Sequence, residues 1–180
     1  TRPAHTARSH LRLLYAGRLT AEKGFAALIR SVAPIQGVEL SIAAPSTQFR
    51  ALAPQLQRAG VGARYIGWLR RPQLWKAFTE HDALVMPSTT LEAMGLVALE
   101  AQACGLPVLY QPVPGLNEAL ASSGLATDFT RPATLARAVD RLRTEPALLP
   151  ALRQAGYTNA SRYPLSKTTE ELAHLGRQLT

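Results

Sequence analysis

Short apolar runs, each cut off by glycine or proline and followed by residues at helical spacing, alternate along most of this chain. No other feature narrows the fold as much. Runs of this length suit buried strands, and the i, i+3, i+4, i+7 spacing between them suits amphipathic helices. Leu11–Ala16 reads as the first strand, ended by Gly17, and Phe25, Leu28, Ile29 and Val32 mark the helix after it. Val38–Ala43 is the second strand, with Phe49, Leu52, Ala53 and Leu56 on the next helix, closed by Gly60. Residues 64–66 form a third strand, and Leu74, Ala77 and Phe78 a helix that starts near Pro72. Ala83–Met86 is the fourth strand, and residues 95–104 form an alanine-rich helix that stops at Gly105.

Residues 107–110 read as a fifth strand, 112–115 as a turn, 116–120 as a short helix and 124–127 as a weak sixth strand. Leu135, Ala138, Val139 and Leu142 define another helix. Pro146 opens one more, carrying Leu148, Leu149 and Leu152, and Pro164 breaks it. Ser166 caps a last helix, with Glu170 and Glu171 in its first turns and Leu172, Leu175 and Leu179 on its buried side.

This alternation predicts an α/β protein: a doubly wound parallel sheet of about six strands with helices on both faces. In the order 3-2-1-4-5-6, strands 1 and 4 are neighbours and the winding reverses between them. Ligands of such sheets bind at the carboxyl ends of the strands flanking the reversal. The loop after strand 1, residues 17–24, and the loop after strand 4, residues 87–95, are therefore expected to face each other across one cleft.

Both loops carry unusual chemistry. The first holds Arg18 and Lys23, five positions apart at a helix start and bracketed by Gly17 and Gly24. A guanidinium fork with a lysine point charge suits a diphosphate, although a solvated turn would also accommodate both. The second loop leads into a helix whose free N–H groups near Gly95 make an anion site. Glu92 and Glu100 stand eight positions apart, one in the loop and one inside the helix. Glu92 can accept hydrogen bonds from sugar hydroxyls, and a carboxylate such as Glu100 is a usual reader of a ribose. Glu100 is either solvated or, on so apolar a helix, held by a partner.

Other chemistries are not supported. No Gly-x-Gly-x-x-Gly follows strand 1, and there is no P-loop and no nucleophile elbow. There is no Asp-x-Asp pair and no histidine cluster, so no metal ligand is assigned. Cys104, the one cysteine, reads as a small core residue, His81 as structural, and Trp68 and Trp75 as core or rim packing. The net charge of +8, from 17 arginines and three lysines, is scattered, with only Arg70 and Arg71 adjacent, so no nucleic-acid partner is expected. No apolar stretch reaches the roughly 18 residues of a membrane helix. The opening residues carry no signal-peptide core, and one cysteine fits a cytoplasmic setting.

Taken together, Gly17-Arg18-Leu19…Glu22-Lys23-Gly24 and Pro87-Ser88…Glu92…Gly95-Leu96-Val97…Glu100-Ala101…Ala103-Cys104-Gly105-Leu106-Pro107 resemble a known pair of motifs. They are those of the carboxy-terminal, donor-binding domain of retaining glycosyltransferases of family 4 (group 1), which have the GT-B architecture of two Rossmann-like domains. The resemblance covers about residues 13–163. It implies that Arg18 and Lys23 grip the donor diphosphate, that Glu92 contacts the donor sugar, that Glu100 holds the ribose, and that the amides of Leu96 and Val97 meet the phosphates. Gly115-Leu116-Asn117-Glu118 resembles the family's Gly-x-Pro-Glu turn, making Gly115 and Glu118 further candidates. Ala93-Met94 replaces the family's frequent Gly-Phe, and Asn117 its proline.

The resemblance also implies the activity: transfer of a sugar from a nucleoside-diphosphate sugar, with retention and without a metal, to a glycan, lipid or small-molecule acceptor. The catalytic assignments are Glu92, as a positioning group, with Arg18 and Lys23. No cofactor is implied beyond the donor substrate. Residues 1–10 are expected to be a linker or cut end, 11–163 the donor domain, and 164–180 a helix packing toward an amino-terminal acceptor domain absent from this sequence. The isolated domain is then expected to be inactive in transfer. The full enzyme is expected in the cytoplasm, or peripherally at the inner face of the membrane. A non-catalytic nucleotide-sugar-binding module and a nucleotide-sugar epimerase on the same fold are the alternatives.

Overall fold

The computed structural model describes residues 10–90, 92 and 95–163; the expected last helix lies outside them. Among these residues, β1 (Leu11–Ala16), β2 (Val38–Ala43), β3 (Ala63–Gly67), β4 (Ala83–Met86), β5 (Val108–Tyr110) and β6 (Leu125–Ala126) form one sheet. Its order is β3-β2-β1-β4-β5-β6, parallel throughout, with the reversal between β1 and β4 as expected. The helices are α1 (Phe25–Val32), α2 (Ser46–Arg58), α3 (Arg71–Glu80), α4 (Leu96–Ala103), α5 (Pro114–Leu120), α6 (Pro132–Thr144) and α7 (Leu148–Ala160).

Strand residues alternate between two cores, as a period of two requires. Leu11, Leu13 and Tyr15 of β1 join Leu40, Ile42, Val85 and Leu109 under α1, α2 and α6. Leu14 joins Ala43, Leu84, Met86 and Val108 under α3, α4 and α5. Both faces are covered, which is why the strands read as unbroken apolar runs. The β1–β4 register is pinned at its start: the Arg12 amide donates to Asp82 Oδ2 (2.9 Å), and the Asp82 amide to the Arg12 carbonyl (2.8 Å).

One local expectation changes. Residues 112–115 do not form a free turn, because α5 already begins at Pro114, whose fixed φ and missing N–H suit a first helical position. At the other end of the chain, α7 docks on α4 through a buried polar set. Asn159 Nδ2 donates to Gln102 Oε1 (2.9 Å) and to the Ala119 carbonyl (2.8 Å), and Gln102 Nε2 donates to Ser123 Oγ (2.8 Å).

His81 is structural, as expected. It is buried, with Nδ1 2.6 Å from the Ala77 carbonyl. Burial is the main force that holds its pKa below the ordinary histidine value, against smaller opposing contributions from the Ala77 hydrogen bond, Asp82 and Glu39. The folded state therefore binds this proton less readily than the unfolded chain. The stability linked to His81 is complete above the unfolded value of about 6.5 and declines as the pH falls below it. Melting temperatures measured from pH 7.5 to 5 should fall more steeply for the wild type than for His81→Gln; parallel curves would remove His81 as the cause.

Candidate functional site

The two loops meet as expected, and their contact is tighter than the sequence implies. After β1 the chain makes a single 3-10 turn, Ala21–Lys23, and enters α1 through Gly24 at φ 68°. A side chain there would be strained by its dihedral, and a Cβ would lie 1.8 Å from the Pro87 carbonyl oxygen. Only a glycine lets the β1–α1 loop press against the backbone of the β4–α4 loop. The Thr89 amide seals the contact by donating to the Glu22 carbonyl (3.0 Å). Tyr15, packed edge-to-face on Phe25 (ring centroids 5.3 Å apart), donates its hydroxyl to the Arg18 carbonyl (2.5 Å). Burial first, then the charges of Glu92 and Glu22, push the Tyr15 phenol above its ordinary range, so it stays a neutral donor.

This contact brings the charged groups together. Lys23 Nζ forms an ion pair with Glu92 Oε2, and buried Ser88 donates to the same oxygen (3.0 Å). The pair lies on a cleft of about 580 Å³ whose lining includes Tyr15, Gly17, Arg18, Ser88, Gly95, Leu96 and Val97. Gly95, at φ 58°, precedes α4, and among the described residues no side chain caps that helix. Its first amides, at Leu96 and Val97, therefore border the cleft where the helix dipole favours an anion. Arg18 is exposed on the same lining.

A second cavity, of about 210 Å³, continues from the first and shares Ala16, Gly17, Trp68 and Val97 with it. Ala43, Leu69 and Leu74 make it apolar, while Arg71 and Glu100 supply its charges. Glu100 does have partners: Trp75 Nε1 donates to Oε2 (3.1 Å), and Arg71 Nε lies 3.6 Å from Oε1. A largely apolar hollow with a few convergent polar groups is the usual form of a small-molecule site. Here its cations, helix amides and two carboxylates are laid out in sequence along one groove.

The structure thus gathers Gly17, Arg18, Lys23, Glu92, Gly95, Leu96, Val97 and Glu100 around these joined cavities. It does not bring Gly115 and Glu118 to either lining. Gly115 is buried in the first turn of α5, and Glu118 is exposed on that helix. Leu116, between them, does touch the site indirectly, since a Cβ on Gly95 would meet its Cδ2 at 2.7 Å. The residues missed by sequence reasoning are Tyr15, Ser88, Trp68, Arg71 and Trp75. Trp68 and Trp75 are not core: they are 61% and 45% exposed, Trp68 on both linings and Trp75 beside Glu100. The available signal for Trp68 was its place just past the carboxyl end of β3, where such sheets receive ligands. Among the described residues, no group of three or more His, Cys, Asp or Glu side chains is arranged to hold a metal, and no helix is long and apolar enough to cross a membrane.

The chain is similar in sequence and fold to known proteins. A D-inositol 3-phosphate glycosyltransferase of Catenulispora acidiphila is 32% identical over 177 aligned positions, which cover 89% of this chain and 42% of that protein. Among solved structures, sucrose-phosphate synthase of Thermosynechococcus elongatus superposes with a TM-score of 0.85 at 26% identity, covering 94% of this chain and 45% of the other. HepE of Anabaena, solved in complex with UDP-glucose, has the same fold, with a TM-score of 0.83 at 19% identity over 94% of this chain and 49% of its own. The chain thus spans less than half the length of each. The sequence signature described as "Glycosyl transferases group 1" matches residues 10–145, most of the chain, and the protein belongs to that family of glycosyltransferases.

Proposed function

We propose that this chain is the donor-binding half of a retaining glycosyltransferase that uses a nucleoside-diphosphate sugar. The observation that carries the reading is the packing of Gly24 on Pro87, which sets Lys23, Glu92 and the start of α4 on one cleft, with Glu100 in the cavity that continues from it. Arg18, Lys23 and the amides of Leu96 and Val97 hold the diphosphate. Their positive charge is in place before the glycosidic bond breaks and offsets the charge that develops on the leaving group, a preorganised electrostatic role that calls for no metal. Glu92 accepts hydroxyl hydrogen bonds from the donor sugar and orients it. Glu100 accepts hydrogen bonds from the ribose, with the base in the apolar cavity beside Leu69, Leu74 and Val97. On binding, the diphosphate draws Lys23 from Glu92 and frees that carboxylate for the sugar.

The acceptor belongs to a further domain that this chain does not span. The first relative's name makes a phosphorylated cyclitol the first acceptor to try, ahead of a glycan or lipid. A uridine nucleotide is the first donor to try, since HepE was solved with UDP-glucose. The setting that goes with this reading is the cytoplasm or the inner face of the membrane.

A thermal-shift and titration series with UDP, GDP, ADP and dTDP, and with their glucose conjugates, tests the site. A nucleotide that binds only the folded state, supplied at 100 times its Kd, stabilises by about 2.7 kcal/mol. For a chain of this size that is a rise of about 5–11 °C. No shift with any of the eight would overturn the reading. Binding without transfer, once the acceptor domain is supplied, would leave a binding module instead.

A further inference from the structure

Glu100 is the one carboxylate among the described residues that line the small cavity, and two side chains of α3 reach it from the neighbouring helix. Arg71 and Trp75 are four residues apart, and so lie on one face of α3. Trp75 donates its indole N–H to Oε2, and Arg71 lies beside Oε1. The start of α3 is itself held, because the Arg70 amide donates to Gln73 Oε1 (3.1 Å). A carboxylate offers about four acceptor positions. The Trp75 hydrogen bond uses one of them and Arg71, at ion-pair distance, faces the other oxygen, which together keep the group from rotating and leave acceptor positions for both hydroxyls of a vicinal diol. Trp75 is 45% exposed, so core packing does not explain it, and its single N–H is spent on Glu100.

We propose that Trp75, assisted by Arg71, is a positioning residue that locks the Glu100 carboxylate in the orientation that receives the two ribose hydroxyls of the donor. The inference rests on the donor-site reading above and goes beyond it by assigning ribose recognition partly to α3. Trp75 does not itself touch the nucleotide. It acts by removing the rotational freedom that Glu100 would otherwise lose on binding.

The test is calorimetric titration of wild type, Trp75→Phe and Arg71→Ala with UDP, GDP and ADP and with their 2′,3′-dideoxy counterparts. Trp75→Phe keeps an aromatic ring and removes the donor. For the nucleotide that binds, its affinity should fall about fivefold, while the dideoxy form binds as it does to wild type. The ribose preference then shrinks by the same factor. Arg71→Ala should do the same more weakly, since its pair is exposed. In a Glu100→Ala background, Trp75→Phe should have no further effect. Equal losses for the ribose and dideoxy forms, or an unchanged ribose preference in Trp75→Phe, would overturn the proposal and leave the donor site standing. Wild-type protein that binds dTDP alone would overturn the proposal and leave the donor site standing, and wild-type protein that binds none of the eight ligands above would overturn both. A melting temperature measured for each variant separates loss of fold from loss of positioning, and the less disruptive Arg71→Ala carries the comparison if Trp75→Phe unfolds.

Discussion

Gly24→Ala should lower the melting temperature by about 6–12 °C and abolish nucleotide binding at concentrations that saturate the wild type. Two costs combine. A residue with a side chain pays about 1–2 kcal/mol to hold a left-handed dihedral, and Gly24 sits at φ 68°. The added methyl also has no room, because its carbon would lie 1.8 Å from the Pro87 oxygen and 2.7 Å from the Pro87 carbonyl carbon. Backbone must move to admit it, and overpacking of this kind costs about 1–3 kcal/mol. A sum of about 3 kcal/mol corresponds to the stated shift for a chain of this length. Binding falls for a separate reason. The relief available is to part the two loops, which breaks the Thr89–Glu22 hydrogen bond and carries Lys23 away from Glu92. Thermal denaturation of the ligand-free variant reads the first effect, and titration well below the melting point reads the second. A variant that melts like the wild type would show that the loops are not braced at this point.

The second large effect comes from the cations, and the two should behave differently. Arg18→Ala is expected to weaken nucleoside-diphosphate binding by about 10–100-fold, the value of a lost charge-assisted hydrogen bond of about 1.5–3 kcal/mol. Because Arg18 is exposed, stability should hardly change. Lys23→Ala should weaken binding to a similar degree and also destabilise the ligand-free protein. Glu92 has only 15% of its side chain exposed, and losing Lys23 leaves its charge with Ser88 but without a cation. Lys23→Ala/Glu92→Gln should recover the stability but not the affinity. Titration and thermal denaturation of the three variants separate these outcomes. Identical melting temperatures for all three would mean that the Lys23–Glu92 pair contributes nothing to the resting state.

Much of this architecture was legible in the sequence. The strand runs were visible because a sheet covered on both faces needs apolar residues at every position, and the helices because each buries one stripe. Strand order was taken as a common order of a doubly wound sheet, and the structure has it. Given that order, the loops holding Arg18, Lys23 and Glu92 had to lie side by side. The α5 boundary was misplaced because Pro112, Pro114 and Gly115 read as a turn, whereas Pro114 opens the helix. Trp68 and Trp75 were read as core or rim packing, and periodicity does not decide between the two, because a tryptophan's burial depends on what neighbouring helices leave uncovered.

The sequence by itself determined the parallel α/β sheet and the pair of loops that carries the cations and carboxylates, which lie side by side once a doubly wound order is assumed. These depend on patterns local to each segment and on the handedness common to all such chains. Only the tertiary structure decided that Gly24 must be glycine because Pro87 lies against it, that Lys23 rests on Glu92, and that Trp75 and Arg71 of α3 reach Glu100 while Gly115 and Glu118 stay off the cavity linings. Those facts concern which surfaces of distant segments come within a few ångströms of each other, and such distances arise only once the helices have packed on the sheet.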